Sequence, residues 1–392
     1  MAKKSFLGVD IGTSAIKIVE LADQNKQPAL VTYGVAEVQT DMIKSNSAVN
    51  QEKTARILAE LVRKSRVTTT NCVAALPTFA VFNSIISLPK MSRKDLAAAV
   101  RWEAKKFIPL PLEEMILDWE VLSEAGDAQL STNPLSRDLG SLFRKKKEQA
   151  KSPEELKKAQ EEEMAAEQKA LAKAAGKSSK DTIRLLLTAA PKNLVASYIE
   201  IFRQANLTLL SLETEAFALS RSLIGNDLTT SMIVDIGSLS TDIVIIEKGV
   251  PILNRGIDIG GYTITKSIMN SLNVTFERAE QFKIDFGVMV GDPSKGIPQT
   301  ISASLDPIMN EIKYVSELYQ NQGTLKVEKI ILSGGSAFLP HLTEYIYNNV
   351  KIQTIIGNPW DRVIYPLDLK PVLDSMAPHM ASAIGLAMKD IV

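Results

Sequence analysis

Two stretches far apart in the chain end an apolar run in the same way. Leu7-Gly8-Val9-Asp10-Ile11-Gly12-Thr13-Ser14 and Ile233-Val234-Asp235-Ile236-Gly237-Ser238-Leu239-Ser240 each carry an aspartate at the end of a strand-like run, then a glycine, then hydroxyl residues. A second strand-like run follows each, Ile16 to Leu21 and Thr241 to Ile246, so both read as β-hairpins. One such turn is read most simply as an ordinary tight hairpin. Two of them, one in each half, predict an internal duplication that closes on a shared ligand.

The residue types in the repeat suit a phosphate chain. Gly12 and Gly237 permit turns whose backbone N–H groups can face phosphate oxygens. Thr13, Ser14, Ser238 and Thr241 add hydroxyl donors, and Lys17 adds a cation. Asp10 and Asp235 would repel such a ligand unless a hard divalent cation lies between them and the phosphates, and Mg²⁺ held through its waters is that cation.

Composition narrows the alternatives. With 392 residues and 45% hydrophobic content the chain can bury two substantial cores. Lys plus Arg and Asp plus Glu are both 45, so no net charge draws the chain to nucleic acid. One cysteine, Cys72, and two histidines, His341 and His379, are too few for a disulfide framework, a Cys/His metal site or Cys-His nucleophilic catalysis. The opening Met1-Ala2-Lys3-Lys4 is followed by an apolar stretch that Asp10 interrupts too early for an export signal. No run reaches the roughly 18 to 20 apolar residues that span a bilayer, so direct membrane insertion is not expected.

Along the chain, apolar residues at helical spacing predict a helix over Glu52 to Lys64, before a strand at Val73 to Leu76. Ser92-Arg93-Lys94-Asp95 has capping-box spacing and opens a helix through Leu96, Val100 and Phe107, which Pro109 and Pro111 stop. Met115 to Leu122 reads as a strand. From Arg144 to Lys180 the chain is dominated by Lys, Glu, Ala and Gln, and about 123 to 180 reads as an insertion, a solvated helical arm rather than a partner-binding coiled coil, with a helix start at Ser152 and a stop at Gly176. Beyond it, strands are expected at Thr182 to Ala189, Leu207 to Leu212 and Val327 to Leu332. Helices are expected at Leu194 to Gln204, from Ala216, at Tyr262 to Leu272, Phe276 to Ile284 and Pro307 to Gln320, and at Ala377 to Met388. This alternation is α/β.

The paired turns resemble the phosphate-1 and phosphate-2 loops of the actin, heat-shock-70 and sugar-kinase superfamily, with Lys17 at the position of its phosphate-1 lysine. The resemblance implies an actin-like two-lobed ATPase fold of duplicated ribonuclease-H-like domains. Lys329 to Pro340, with Gly334, Gly335 and Phe338, resembles the adenosine loop, in which a strand runs into Gly-Gly at a helix N-terminus. Leu212 to Leu219 and Ser382 to Ala387 resemble the two helices that connect the lobes. On this likeness Glu215 orients the attacking water, with Glu213 as the alternative, and Asp10 and Asp235 complete the catalytic set. Gly260, Gly261, Glu280 and Lys283 carry over as nucleotide contacts; without the likeness they read as a helix N-terminus and an i,i+3 charge pair.

Within the superfamily, Leu88 to Ser92, Trp102 to Pro111, Leu117 to Leu122, Ile259 to Thr265 and Ala279 to Lys283 resemble the PilM family of type IV pilus assembly. The Trp102 to Pro111 element belongs there to a small subdomain inserted in the first lobe, a placement shared with FtsA. The implied domains are a first-lobe core at 1–78 and the inserted subdomain at 79–189, carrying the charged 123–180 segment. The first-lobe core continues at 190–224, and the second lobe follows as a core at 225–258, a small subdomain at 259–324 and core again at 325–370. A connecting helix occupies 371–392.

The family likeness implies a cytoplasmic scaffold at the inner face of the membrane, with ATP or ADP and Mg²⁺ as cofactors and at most slow ATPase activity. Its expected partner is the cytoplasmic N-terminal peptide of a PilN-like membrane protein, with pilus motor ATPases and self-association as further candidates. An FtsA-type filament protein and a small-molecule kinase of the same superfold are the alternatives. The sequence shows no second carboxylate base for a kinase, and no amphipathic FtsA-type tail after the last connecting helix.

Overall fold

The computed structural model describes residues 4–38, 47–122, 182–288, 297–322 and 326–392. The expected arm at 123–180, with its helix from Ser152, lies outside them. Two compact units are present, one of Met1–Phe79, Ser197–Leu210 and Thr214–Val392, the other of Ala80–Ala196 with Ser211–Glu213.

Strands β1 (Ser5–Ile11), β2 (Ala15–Asp23) and β3 (Pro28–Glu37) form an antiparallel meander. Helix α1 (Ala48–Lys64) then carries the chain back to β4 (Asn71–Leu76), which lies parallel to β1. Ser47 caps α1 through its hydroxyl, and Thr54, Ala55, Leu58 and Leu61 form its buried face.

The smaller unit contains β5 (Phe82–Pro89), helix α2 (Arg93–Ala104), β6 (Met115–Leu122) and β7 (Thr182–Pro191), with β7 central in an antiparallel sheet ordered β5-β7-β6. Ser92 Oγ accepts the Asp95 N–H and donates its own proton to the Asp95 carboxylate, so Ser92 caps the helix as its spacing predicts. The helix closes at Ala104, short of Phe107. Ile86, Leu88, Val100, Leu185 and Leu187 are the centre of this unit's own core.

Helix α3 (Lys192–Gln204) leads to β8 (Thr208–Thr214), which completes a sheet ordered β3-β2-β1-β4-β8. Helix α4 (Glu215–Leu219) follows and widens into a π turn at Ser220–Ile224. The same strand pattern then recurs. Strands β9 (Ser231–Ile236), β10 (Thr241–Glu247) and β11 (Val250–Ile257) form a second antiparallel meander, and helices α5 (Gly261–Leu272), α6 (Phe276–Phe286) and α7 (Ile297–Gln322) come after it. Next, β12 (Lys329–Ser333) pairs parallel to β9, helix α8 (Leu342–Val350) follows, and β13 (Gln353–Ile356) closes a sheet ordered β11-β10-β9-β12-β13. The chain ends in helices α9 (Lys370–Ser375) and α10 (Ala381–Met388).

Several elements differ from the sequence expectation. The third strand of each meander and strand β13 give no clear alternation. In β11, Pro251 and Gly256 break it, and they are tolerated because this is an edge strand with a bulge between Ile245 and Ile246 on its partner. Helix α7 begins ten residues before Pro307, which sits inside it. Pro307 is exposed, on the solvent side of the helix, where a missing hydrogen bond costs least. The Gly-Gly turn after β12 enters a four-residue 3₁₀ turn, Gly335–Phe338, rather than an α-helix. Likewise the expected final helix splits into a 3₁₀ turn, Ala377–Met380, and α10.

Helix α10 is apolar on every side because it is fully buried: all eight of its residues are. It lies against β1 so closely that a Cβ on Gly8 would stand 2.0 Å from the Ala383 carbonyl oxygen. On another side a Cβ on Gly385 would stand 1.9 Å from the Ala218 carbonyl oxygen of α4. Only glycine allows either approach. Phe6, Val19 and Leu21 from the first meander share one core with Trp360, Met380 and Ile384.

Candidate functional site

The duplication brings the two Asp-Ile-Gly turns of the larger unit into one cavity of about 280 Å³. Each turn is closed in the same way. The Gly12 N–H donates to the Ala15 carbonyl at 3.0 Å, and the Gly237 N–H to the Ser240 carbonyl at 2.9 Å. These two N–H groups are therefore consumed in holding the turns, and any backbone donors to a ligand come from the residues that follow.

The hairpins differ across the strand. In the first, Asp10 faces Lys17 in register, and Lys17 Nζ donates to Asp10 Oδ2 at 2.8 Å, with side chains only 5% and 13% exposed. In the second, Asp235 faces Asp242. Asp10, Asp235, Asp242 and Glu215 line the cavity around Lys17, and Glu280 and Lys283 line it as a pair, so five carboxyl groups face two ammoniums.

The electrostatics follow from that imbalance. Burial alone would lower the Lys17 pKa, but the charge of Asp10, the hydrogen bond to it and the more distant Asp235 and Glu215 outweigh burial, so it is raised. Burial pushes Glu215 well above the usual carboxylate range; Asp242, Asp10 and Asp235 add to this and Lys17 opposes it. Asp235 is raised by burial against the pull of Lys17 and a Ser333 hydrogen bond. Burial and the Asp235 charge push Asp242 up to about 7, against a hydrogen bond from Thr78. The 3₁₀ turn Ala377–Met380 adds His379 to the lining, lowered to about 4 by burial and by Lys17 and hence neutral near pH 7.

Of the residues singled out in the sequence, Asp10, Gly12, Thr13, Ser14, Lys17, Glu215, Asp235, Gly237, Ser238, Gly261, Glu280, Lys283, Gly334 and Gly335 line this cavity. Three do not. The Thr241 hydroxyl is fully buried and donates to the Ile259 carbonyl at 2.7 Å, so it ties the hairpin to the following loop. Gly260 acts through its backbone: it precedes the Gly261 and Tyr262 N–H groups that bond the Gly237 and Ser238 carbonyls at 2.9 and 2.8 Å. Phe338 lies off the cavity, 44% exposed, because the 3₁₀ turn after Gly335 aims it outward. Glu213 is buried and also lies off the cavity, which leaves Glu215 as the carboxylate of that segment facing it.

Gly334 has φ +84°, and a Cβ there would stand 2.5 Å from the Ile236 carbonyl oxygen and 2.7 Å from Asp235 Oδ1. The Gly-Gly turn after β12 is thus pressed against the second Asp-Ile-Gly turn, which a side chain would forbid. Its N–H bonds the Pro378 carbonyl at 3.1 Å, carrying His379 to the cavity. Lys283 is held at 2.7 Å from Glu280 Oε1 and 2.9 Å from the Thr265 hydroxyl, and that hydroxyl also bonds Glu280. This network fixes both members of the Glu280/Lys283 pair.

Sequence reasoning missed Thr78, Asp242, His379 and the aromatic pair Tyr262 and Phe276, whose ring centroids lie 6.0 Å apart at the cavity wall. Asp242 alone had a signal: it occupies, in the second repeat, the place that Lys17 occupies in the first. Among the described residues no group of three or more His, Cys, Asp or Glu side chains forms a direct metal cage, and no helix is long and apolar enough to cross a membrane.

Two duplicated sheets meeting at paired hairpin turns, with a connecting helix behind each, define the actin-like ATPase fold. The architecture is shared with the solved PilM-PilN type IV pilus biogenesis complex, to which this chain is 23% identical with a TM-score of 0.75, over 98% of each chain. It is also shared with the ethanolamine utilization protein EutJ from Carboxydothermus hydrogenoformans, 16% identical with a TM-score of 0.51, over 99% of this chain and 90% of that one. The sequence profile described as type IV pilus assembly protein PilM matches residues 8–135 and 162–391. The chain belongs to that family.

Proposed function

We propose that this protein is an ATP-binding scaffold of the type IV pilus inner-membrane assembly complex, or of a related type II secretion machine, and that it captures the cytoplasmic N-terminal segment of a PilN-like membrane protein. The observation that carries the nucleotide half is the pair of turns, each with its aspartate in one cavity, with Lys17 beside the first. The solved relative that pairs PilM with PilN supports the partner half. A PilN-like anchor places the scaffold at the cytoplasmic face of the inner membrane.

The residues present fit Mg-ATP. Five carboxyl groups facing two ammoniums leave some of the acids unable to ionise unless a divalent cation joins them, and oxygen donors suit Mg²⁺. Asp10 and Asp235 would hold the ion through its waters. Thr13, Ser14 and Ser238 would present donors to the phosphates, with Lys17 as their nearest cation. Gly261, Gly334, Gly335, Glu280 and Lys283 would border the nucleoside. Bound in this way, Mg-ATP supplies a transferable phosphoryl group. Glu215 is the carboxylate placed to hold a water, and no arginine lines the cavity among the described residues. Without a guanidinium to stabilise developing charge, turnover is slow.

Calorimetry with Mg-ATP and anisotropy with a labelled PilN-like N-terminal peptide test the two halves separately. Asp10→Ala and Asp235→Ala should each abolish Mg-ATP binding while circular dichroism stays unchanged. Retained affinity in both variants refutes the nucleotide site, and no peptide affinity with or without ATP refutes the scaffold.

A further inference from the structure

Thr78 opens the 3₁₀ turn Thr78–Ala80 directly after β4, at the cavity wall, and is 7% exposed. Its hydroxyl lies 3.2 Å from Glu215 Oε2 and also meets the Asp242 side chain; having one proton, it donates to one of these acids and accepts from the other, whose own proton is retained because both are raised by burial. One hydroxyl from the first sheet's half of the unit thus joins a carboxyl at the start of the connecting helix to a carboxyl at the start of β10 in the second half. Neither the paired turns nor the family likeness calls for it.

Glu215 opens helix α4, and its other neighbours in the cavity act on it through charge alone: Asp242, Asp10 and Asp235 repel it and Lys17 attracts it. Left to those forces, the Glu215 side chain turns away from the other acids and toward Lys17. The Thr78 hydroxyl is the directional contact that opposes this, since a hydrogen bond fixes an angle and a Coulomb attraction does not.

We propose, resting on the nucleotide reading above, that Thr78 is a positioning residue for ATP hydrolysis: its hydroxyl, held between Glu215 and Asp242, fixes Glu215 in the orientation from which it holds the attacking water. In that reaction the water oxygen bonds to the γ-phosphorus as the bond from that phosphorus to the bridging oxygen breaks, ADP leaves, and the water proton passes through Glu215 to solvent. Because the contact spans the two halves, the water site is complete only while Thr78 and Asp242 face each other.

The test compares wild-type protein with Thr78→Val, which keeps the shape and removes the hydroxyl, and Thr78→Ser, which restores it. Affinity for Mg-ATP and for Mg-ADP with tetrafluoroaluminate, a mimic of the transferring phosphoryl group and its attacking oxygen, is read by calorimetry, and single-turnover phosphate release is followed alongside. The expected result is Mg-ATP affinity within about threefold of wild type in Thr78→Val, against a loss of about tenfold or more in fluoroaluminate affinity and in phosphate release, and recovery of both in Thr78→Ser. Thr78→Ala reads the same difference should the valine variant fail to fold. Thr78→Val that binds the fluoroaluminate complex as tightly as wild type overturns the proposal, as does wild-type protein that gains no affinity from fluoroaluminate. Wild-type protein that does not bind Mg-ATP overturns the nucleotide reading itself, a separate outcome.

Discussion

Asp235 stands directly across its hairpin from Asp242, at the register position where the duplicated hairpin sets Asp10 against Lys17. The repeat is therefore symmetric in backbone and asymmetric in charge. One turn carries its own counter-ion and the other carries a second acid. Such a pair makes sense beside a cation that the protein itself does not provide.

The charge carried by Asp242 gives a stability-versus-pH prediction. Its carboxyl is raised from the ordinary 3.8 to about 7, so the folded state binds the proton more tightly than the unfolded state. The contribution to stability is then fully present below about pH 4 and is lost as pH rises through about 7. Glu215 shifts the same way. Without ligand, Tm should fall from about pH 5 to about pH 8, and Asp242→Asn should flatten that slope and raise Tm at the alkaline end. A slope unchanged by the substitution counts against the assignment.

The Asp10–Lys17 pair predicts strong coupling. With both side chains nearly buried, Lys17→Met leaves a carboxylate unpaired and should cost about 3 kcal/mol in urea unfolding. Asp10→Asn with Lys17→Met together should cost less than the two single changes added, by more than about 1 kcal/mol. Additive single effects would show that the pair contributes little.

Three glycines separate folding from binding. Gly8→Ala and Gly385→Ala place a methyl group 2.0 and 1.9 Å from backbone oxygens, so each should destabilise by more than about 3 kcal/mol or yield insoluble protein. A Cβ on Gly335 meets nothing closer than the His379 ring at 3.9 Å. Gly335→Ala should keep Tm within about 2 °C of wild type, as expected of a substitution that meets open space, while Mg-ATP affinity falls, because the methyl group enters the cavity. Unfolding curves and calorimetry on the three variants check both claims.

Much of this was legible in sequence, for physical reasons. An aspartate ending an apolar run before Gly-Thr or Gly-Ser is a local pattern, and two copies raise it above chance. The Ser92 cap and the spacing of Leu58 and Leu61 are likewise local. What escaped depends on distant neighbours. Strand β11 is a strand because β10 pairs with it despite Pro251. The Thr241 hydroxyl, a plausible phosphate donor by spacing, is spent on the Ile259 carbonyl. Thr78 sits in a turn with no motif around it and gains meaning only from Glu215, far along the chain.

The tight seat of helix α10 on strand β1 also sets a clock. Phe6 and Ile384 belong to one core, and the Gly8 backbone rests on residues 383 and 387. At about 5 to 20 residues per second of synthesis, strand 5–11 waits on the order of tens of seconds for its helix. Until then the first sheet presents a bare apolar face, and a nascent chain in that interval is the form of this protein most in need of a chaperone.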